Sequence, residues 1–511
     1  MASLELDSTL VLLSLVFVVS CFAIVVRAGF GPGRKESVHA LPPSPPALPI
    51  IGNLHKLGGI HLHRTLQALA QRHGPLFLLR LGSVPLVVVS SASMAEVVLK
   101  TQDHIFCNRP EQYTARGLLY GCRDIAFSPY GEQWRQIRRV AVVHLLSLKR
   151  VDSFRALRVE EVSRFVQRIR AASGVGEDRD GVNMSELIIS LTNTVISKAA
   201  FGNKLGGVEP AMVRGLMKEL TDVLSTFAVS DMFPGLGWLD WARGLDARVK
   251  RTAAKLDMVV ERTIAEHEEN RVNNCEARDL LDDLLSIYKD GDLGFKLDRT
   301  DVKALILDMF VAGTDTIYKT IEWTMAELIK NPRELEKVQS EVRSQVAGSA
   351  QARIVLEEEL EKMSLLQAAI KETLRLHPAL PLLVPRETIE DTRVDGYDIP
   401  AKTRVMVNTW AMGRDSESWE NAEEFLPERF LGQAIGYSGK DTRFIPFGAG
   451  RRGCPGLAFA TRLVELTLAN MIYHFNWQLP NGQDLESFEL TESSGVSPGL
   501  KSTLILTVKP L

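Results

Sequence analysis

From Thr300 to Asn331 the chain carries a helical pattern of about thirty residues, ended by Pro332. At about 1.5 Å rise per residue such a helix would reach roughly 45 Å. Its centre, LILDMFVAGTDT, is apolar around most of its circumference. A helix apolar on all sides is buried, so this one should pass through the middle of the protein. That demands a large body packed around it, and 511 residues, 45% of them hydrophobic, supply one.

The flanking patterns fit that body. Residues 75–90, PLFLLRLGSVPLVVVS, read as two short strands around a Gly-Ser turn. Helical patterns then dominate, at 94–102, 131–150, 154–173, 185–203, 211–228 and 247–270. After the central helix they resume at 333–347, 356–377 and 457–475, with short β-like pieces at 383–408. The charged interval Glu266–Asp292 reads as a solvated helix and loop. The expected class is mainly α with a small β component.

Several functions are excluded early. A net charge of −3 gives no electrostatic reason to expect nucleic acid. The five cysteines (Cys21, Cys107, Cys122, Cys275, Cys454) contain no close pair. That argues against a disulfide framework and against CxxC zinc spacing, and it fits a reducing, cytosol-facing location.

Between Asp7 and Arg27 lie nineteen uncharged residues, STLVLLSLVFVVSCFAIVV. As a helix they would span roughly 28 Å, close to the hydrocarbon thickness of a bilayer. A cleaved signal peptide is the rival, but such peptides start basic, whereas this run is preceded by Glu5 and Asp7. Arg27, Arg34 and Lys35 follow it, which places the rest of the chain in the cytosol. Residues 1–27 are therefore expected to be a membrane anchor. Residues 28–53, basic and then proline-rich (LPPSPPALPIIGN), form a hinge with a stiff spacer, and residues 54–511 the folded domain.

Three stretches carry chemistry. In the central helix, Ala312, Gly313, Thr314, Asp315 and Thr316 set a glycine, a carboxylate and two hydroxyls in an apolar surround. Two readings are open: a kink with threonine hydroxyls bonded to the preceding turn, or a groove where a small molecule meets the backbone. In AAIKETLRLHP, Glu372 and Arg375 share a helix face with apolar flanks, and a buried pair of this kind needs a further partner. Arg429 in LPERF is the candidate.

The third stretch is FIPFGAGRRGCPGLAFA, residues 444–460. Gly448, Gly450 and Gly453 spell GxGxxG, but Pro446 interrupts the strand a dinucleotide site needs, and no βαβ unit surrounds the motif. Cys454 explains the loop better. It precedes a helix N-terminus, where the macrodipole favours a thiolate. Glycines let backbone approach a flat cofactor, and Arg451 and Arg452 can meet acidic groups on it. Haem combines those features.

Taken together, the chain resembles the cytochromes P450, specifically the membrane-anchored plant A-type enzymes. FGAGRRGCPG matches the haem loop at Phe447, Gly450, Arg452, Cys454 and Gly456; AGTDT matches the oxygen-activating centre; Glu372 and Arg375 match ExxR, with Arg429 in PERF; Trp134 and Arg138 in WRQIR match WxxxR. These motifs fall in the family's order across nearly the whole chain. The resemblance implies the P450 fold, with one haem-binding catalytic domain (54–511) behind an N-terminal transmembrane helix. It implies haem b held through Cys454, with Phe447 shielding the sulfur. Trp134, Arg138, Arg452 and Arg386 would contact the propionates, and Asp315 and Thr316 would relay protons. Glu372, Arg375 and Arg429 would form a structural ionic triad.

By the same resemblance, substrate contacts are expected from residues 107–127, from Ala312, Gly313 and Ile317, from Leu382, Leu383 and Val384, and from residues 493–496. Ile317 and Tyr318 depart from the small hydroxyl residues usual after the relay threonine. The implied activity is a monooxygenase that inserts one oxygen atom from O2 into a hydrophobic plant metabolite (alkaloid, terpenoid or phenolic). An oxidative rearrangement, isomerisation or dehydration is the alternative. Electrons would come from NADPH through a separate cytochrome P450 reductase, with cytochrome b5 as a further partner. Arg135, Arg139 and Lys149 are candidates for the reductase docking face, and the endoplasmic reticulum membrane is the expected location.

Overall fold

The computed structural model describes residues 40–173, 181–202, 210–270, 278–291, 295, 297–346, 353–480 and 483–511. The expected anchor, residues 1–27, lies outside them. No helix among the described residues is long and apolar enough to cross a membrane.

The central helix runs unbroken from Arg299 to Lys330. Asp298 and Asp301 open it with reciprocal capping bonds, each carboxylate accepting the other's backbone N–H. Pro332 closes it and begins the next helix, Pro332–Val346, as a first-turn proline can. Ile306, Phe310, Ile317, Ile321, Trp323 and Met325 are all buried, so the helix runs through the core for most of its length. Helices Met184–Phe201, Ser364–Leu376 and Leu457–His474 pack against it.

Nine short strands occur among the described residues: β1 (Leu76–Leu81), β2 (Val84–Val89), β3 (Val182–Asn183), β4 (Arg386–Glu387), β5 (Thr392–Val394), β6 (Tyr397–Ile399), β7 (Arg404–Val407), β8 (Phe475–Gln478) and β9 (Ile505–Pro510). The main sheet has the order β1-β2-β7-β4, with β2 and β7 parallel and the other pairs antiparallel. The β1–β2 hairpin turns at Gly82-Ser83, as its sequence predicts. The proline-rich segment docks on this hairpin: Leu78 N–H donates to Pro43 O, and Asn53 N–H to Arg80 O.

Three expectations are corrected. The helix read at 356–377 divides into Glu357–Leu360 and Ser364–Leu376. The second piece starts afresh because the Glu341 carboxylate, from another helix, accepts the N–H groups of Leu365 and Leu366. The pattern at 131–150 becomes a helix over Glu132–Arg139, a wide π-helical turn over Val140–Leu145, and a new helix at Leu148 capped by Ser147. Within the charged interval, Leu280–Asp290 is a helix whose Leu280, Leu281, Leu284 and Leu285 are buried, so that part is core.

Candidate active site

The cysteine loop is held by short backbone bonds: Gly448 N–H to Ile445 O at 2.9 Å, Gly453 N–H to Gly450 O at 3.0 Å, and Cys454 N–H to Phe447 O at 2.9 Å. Gly450 has φ +68°, and a Cβ there would lie 2.1 Å from Leu99 O. The neighbouring protein backbone therefore demands this glycine. Gly448, also at φ +68°, has no neighbour nearer than 3.9 Å to such a Cβ and lines a cavity.

That cavity, of about 290 Å³, lies between the cysteine loop and the central helix. From the cysteine loop Cys454, Phe447 and Gly456 line it; from the central helix Ala312, Gly313, Thr316 and Ile317 do. Cys454 is accessible, and its accessible surface opens into this interior space. Burial pushes its thiol up, against the opposing effects of the Gly456 N–H and the Arg138 guanidinium. The helix N-terminus thus favours the thiolate as expected, but in the protein alone burial outweighs it.

Four arginines converge on the cavity: Arg109, Arg138, Arg386 and Arg452. Arg138 donates to Gly453 O at 2.5 Å. Arg386 donates to Asp103 Oδ1 at 2.7 Å and to Ala449 O at 2.9 Å. Arg452 donates to Cys107 O and Ser128 O, and its guanidinium lies 3.9 Å from the centroid of the Trp134 ring. Arg109 ties Ala126 O to Val384 O and Pro385 O. Burial, reinforced by the neighbouring guanidiniums, lowers Arg109 well below its ordinary value and brings Arg452 to about 9.

So many cations in one buried place require countercharge. Asp103 supplies some, but it also accepts the backbone N–H and guanidinium of Arg451. The surplus of positive charge beside a thiol, in a cavity lined mainly by apolar side chains, fits an iron macrocycle with two carboxylates. The donor set of this cavity fits haem.

Not every expected residue reaches the cavity. Trp134 donates its indole N–H to Ile125 O at 3.1 Å and stands behind Arg452, which it stacks against. Arg451 pairs with Asp103 instead of facing the cavity. Leu383 and Val384 line the wall, whereas Leu382 packs beside the main sheet. Residues 493–496 do not line it, and of the 107–127 stretch Arg109, Ile125 and Ala126 do. Asp308, which no motif marks, does as well; burial and the nearby Asp124 carboxylate raise it well above the usual carboxylate range.

In the central helix, Thr316 faces the cavity and donates its hydroxyl to Ala312 O at 2.7 Å. Asp315 turns to the helix flank, where Lys319 Nζ lies 2.6 Å away. Of the kink reading of AGTDT, one half is seen. Threonine hydroxyls bond back to the preceding turn, but the helix does not break there. Gly313 lets helix Met184–Phe201 approach: a Cβ would meet Ile196 Cδ1 at 2.9 Å.

Glu372, Arg375 and Arg429 form one hydrogen-bonded cluster. Arg375 Nε and Nη2 each donate to the Glu372 carboxylate at 2.7 Å, and Arg429 Nε donates to Glu372 Oε1 at 2.9 Å. Glu372 and Arg375 have fully buried side chains. Arg375 further donates to Gly413 O, Ala422 O and Glu424 O, so its charge anchors the loop leading to the cysteine.

Fold and site together define a haem-thiolate enzyme, and the comparisons agree. The family model for cytochrome P450 matches residues 42–504. "Cytochrome P450 71A1" of Persea americana is 49% identical over 464 residues, covering 90% of this chain and 91% of that one. "Phenylacetaldehyde oxime monooxygenase" of Prunus mume is 44% identical, covering 94% and 91% respectively. A zebra fish cytochrome P450 structure with abiraterone superposes with a TM-score of 0.74 at 27% identity, over 89% of this chain and all of that chain. The chain belongs to the cytochrome P450 family. It is a P450 monooxygenase, an oxidoreductase whose cofactor is haem b.

Proposed function

We propose that this enzyme inserts one oxygen atom from O2 into a hydrophobic plant specialised metabolite, drawing electrons from NADPH through a separate membrane-bound reductase. One observation carries the reading: Cys454 and Thr316 line one cavity that four arginines also line. Haem bound there would supply the iron at which dioxygen is reduced and split.

The chain's own residues have separable tasks in this reading. Cys454 holds the cofactor through sulfur, and Phe447, beside it, limits water at that atom. Arg138, Arg386, Arg452 and Arg109 hold the carboxylates, and Trp134 keeps the Arg452 plane in place. Thr316 passes a proton across the cavity face of the central helix, with Asp315 next to it as the proton source. Ala312, Gly313, Ile317, Leu383 and Val384 present a mainly apolar surface to substrate. Asp308 adds one acidic group to that wall.

The membrane placement belongs to the same proposal. Residues 1–27 would anchor the domain in the endoplasmic reticulum membrane, facing the cytosol, and residues 28–53 would join them to the catalytic body. Arg135, Arg139 and Lys149 would receive the reductase, with cytochrome b5 as a second donor; Arg139 and Lys149 are exposed beside the apolar Val142, Val143 and Leu148. The deciding experiment is a screen of alkaloids, terpenoids and phenolics with reductase and 18-labelled dioxygen. One labelled atom in the product is the expected result; a product of altered skeleton without label would contradict the reading.

A further inference from the structure

Lysine is seldom buried without partners, yet Lys319 keeps only 9% of its side chain exposed on the flank of the central helix. Its ammonium has three N–H donors, and three acceptors surround it: Asp315 Oδ2 at 2.6 Å, Ser497 O at 2.5 Å and Ser497 Oγ at 3.2 Å. The stem is enclosed as well. Gly499 lies so close that a Cβ there would stand 3.3 Å from Lys319 Cγ and Cε.

The segment carrying Ser497 is fixed to the same helix by another bond: Trp323 donates its indole N–H to Pro498 O at 3.3 Å. The segment also closes on itself, through Ser493 N–H to Gly499 O and Gly499 N–H to Ser493 Oγ. One cation therefore joins a closed loop to Asp315. A third of the Asp315 side chain stays accessible although it does not line the cavity, so water reaches the carboxylate from outside. Thr316, the next residue, faces inward.

We propose that Lys319 is a positioning residue: it pins Asp315 against the Ser497 loop as the outer, water-facing end of a proton path whose inner end is Thr316. This rests on the reading of Asp315 and Thr316 as a proton relay. With Lys319 in place the carboxylate is held in one orientation by a charge-assisted bond. Without it, Asp315 loses its cation and the loop loses an anchor together.

The test uses the full-length, haem-loaded protein with reductase and no added substrate, so it does not wait on substrate identity. Under those conditions NADPH is consumed in two balanced ways. One O2, one NADPH and one proton give one H2O2 and NADP+; one O2, two NADPH and two protons give two waters and two NADP+. Ordered proton delivery favours water, so peroxide per NADPH reports on the relay. Hydrogen exchange at the amides of residues 493–500 reports on the clamp independently of turnover.

Lys319→Met is expected to speed that exchange about tenfold, the loss of one charged hydrogen bond, and to raise peroxide per NADPH. Lys319→Arg, which keeps the charge, should restore both, and Asp315→Asn should raise peroxide with little change in exchange. Each variant is compared only where the carbon monoxide difference band shows haem-loaded protein. Wild-type exchange in Lys319→Met would overturn the clamp. Faster exchange with unchanged peroxide, while Asp315→Asn raises peroxide, would overturn the positioning role and leave the relay standing. Unchanged peroxide in Asp315→Asn would instead refute the relay itself.

Discussion

Single side chains divide the site into groups that face the cavity and groups that hold those in place. Thr316 belongs to the first set, and its hydroxyl has a ready acceptor in Ala312 O. Thr316→Ala should leave the haem spectrum intact but shift NADPH consumption from product towards peroxide, measured as moles of each per NADPH. Equal coupling would remove Thr316 from the proton path. Glu372 belongs to the second set. Glu372→Ala would leave the buried Arg375 and the part-buried Arg429 without their shared carboxylate, at a cost of about 3–5 kcal/mol, seen as a lower unfolding midpoint or failure to retain haem. The motif residues were legible because their chemistry is unusual for their surroundings: a carboxylate in an apolar helix, a cysteine among glycines. Asp103 and Arg109 were not, because each bonds partners far away in the chain, Arg386 and Val384 among them.

At the scale of elements, tertiary partners decided what local periodicity left open. The helix at 356–377 divides because Glu341 caps its second piece, and no pattern within 356–377 announces a carboxylate from 341. The loop around 493–499 is pinned at its base in a similar way. Glu492 accepts from His63 at 3.0 Å, from Arg64 and from Trp410. Burial alone would raise this carboxyl, but His63, Arg64 and His377 outweigh burial and bring it to about 2. A folded value below the ordinary 4.5 means the unfolded chain binds more protons. The stabilisation is therefore complete above about pH 4.5 and is lost as pH falls towards 2. Wild-type stability should fall more steeply through that window than Glu492→Gln stability, as read by denaturant midpoints at each pH; parallel profiles would contradict the assignment.

On the scale of the whole molecule, the order of motifs along the chain carried more than any one of them. A WxxxR helix, a long buried helix, an ExxR helix and a cysteine loop follow one another in the family's order, and the folded chain brings them round one cavity. What lay beyond sequence was which side chains reach that cavity. Trp134 and Arg451 share the neighbourhood but spend their donors on Ile125 O and Asp103, a matter of a few ångströms that spacing does not encode. The proposed reductase face belongs to this scale too. Arg139→Glu, on the exposed side of its helix, should raise the reductase concentration needed for half-maximal turnover, most strongly at low salt, with the haem spectrum unchanged. A salt-independent, wild-type dependence on reductase would move the docking face elsewhere.

All of these depend on Cys454 holding the cofactor. The most direct measurement is the reduced carbon monoxide difference spectrum of the haem-loaded wild type beside Cys454→Ala. The wild type should give the long-wavelength Soret band of thiolate-ligated haem, and the variant should lose it. Survival of that band in Cys454→Ala would contradict the account.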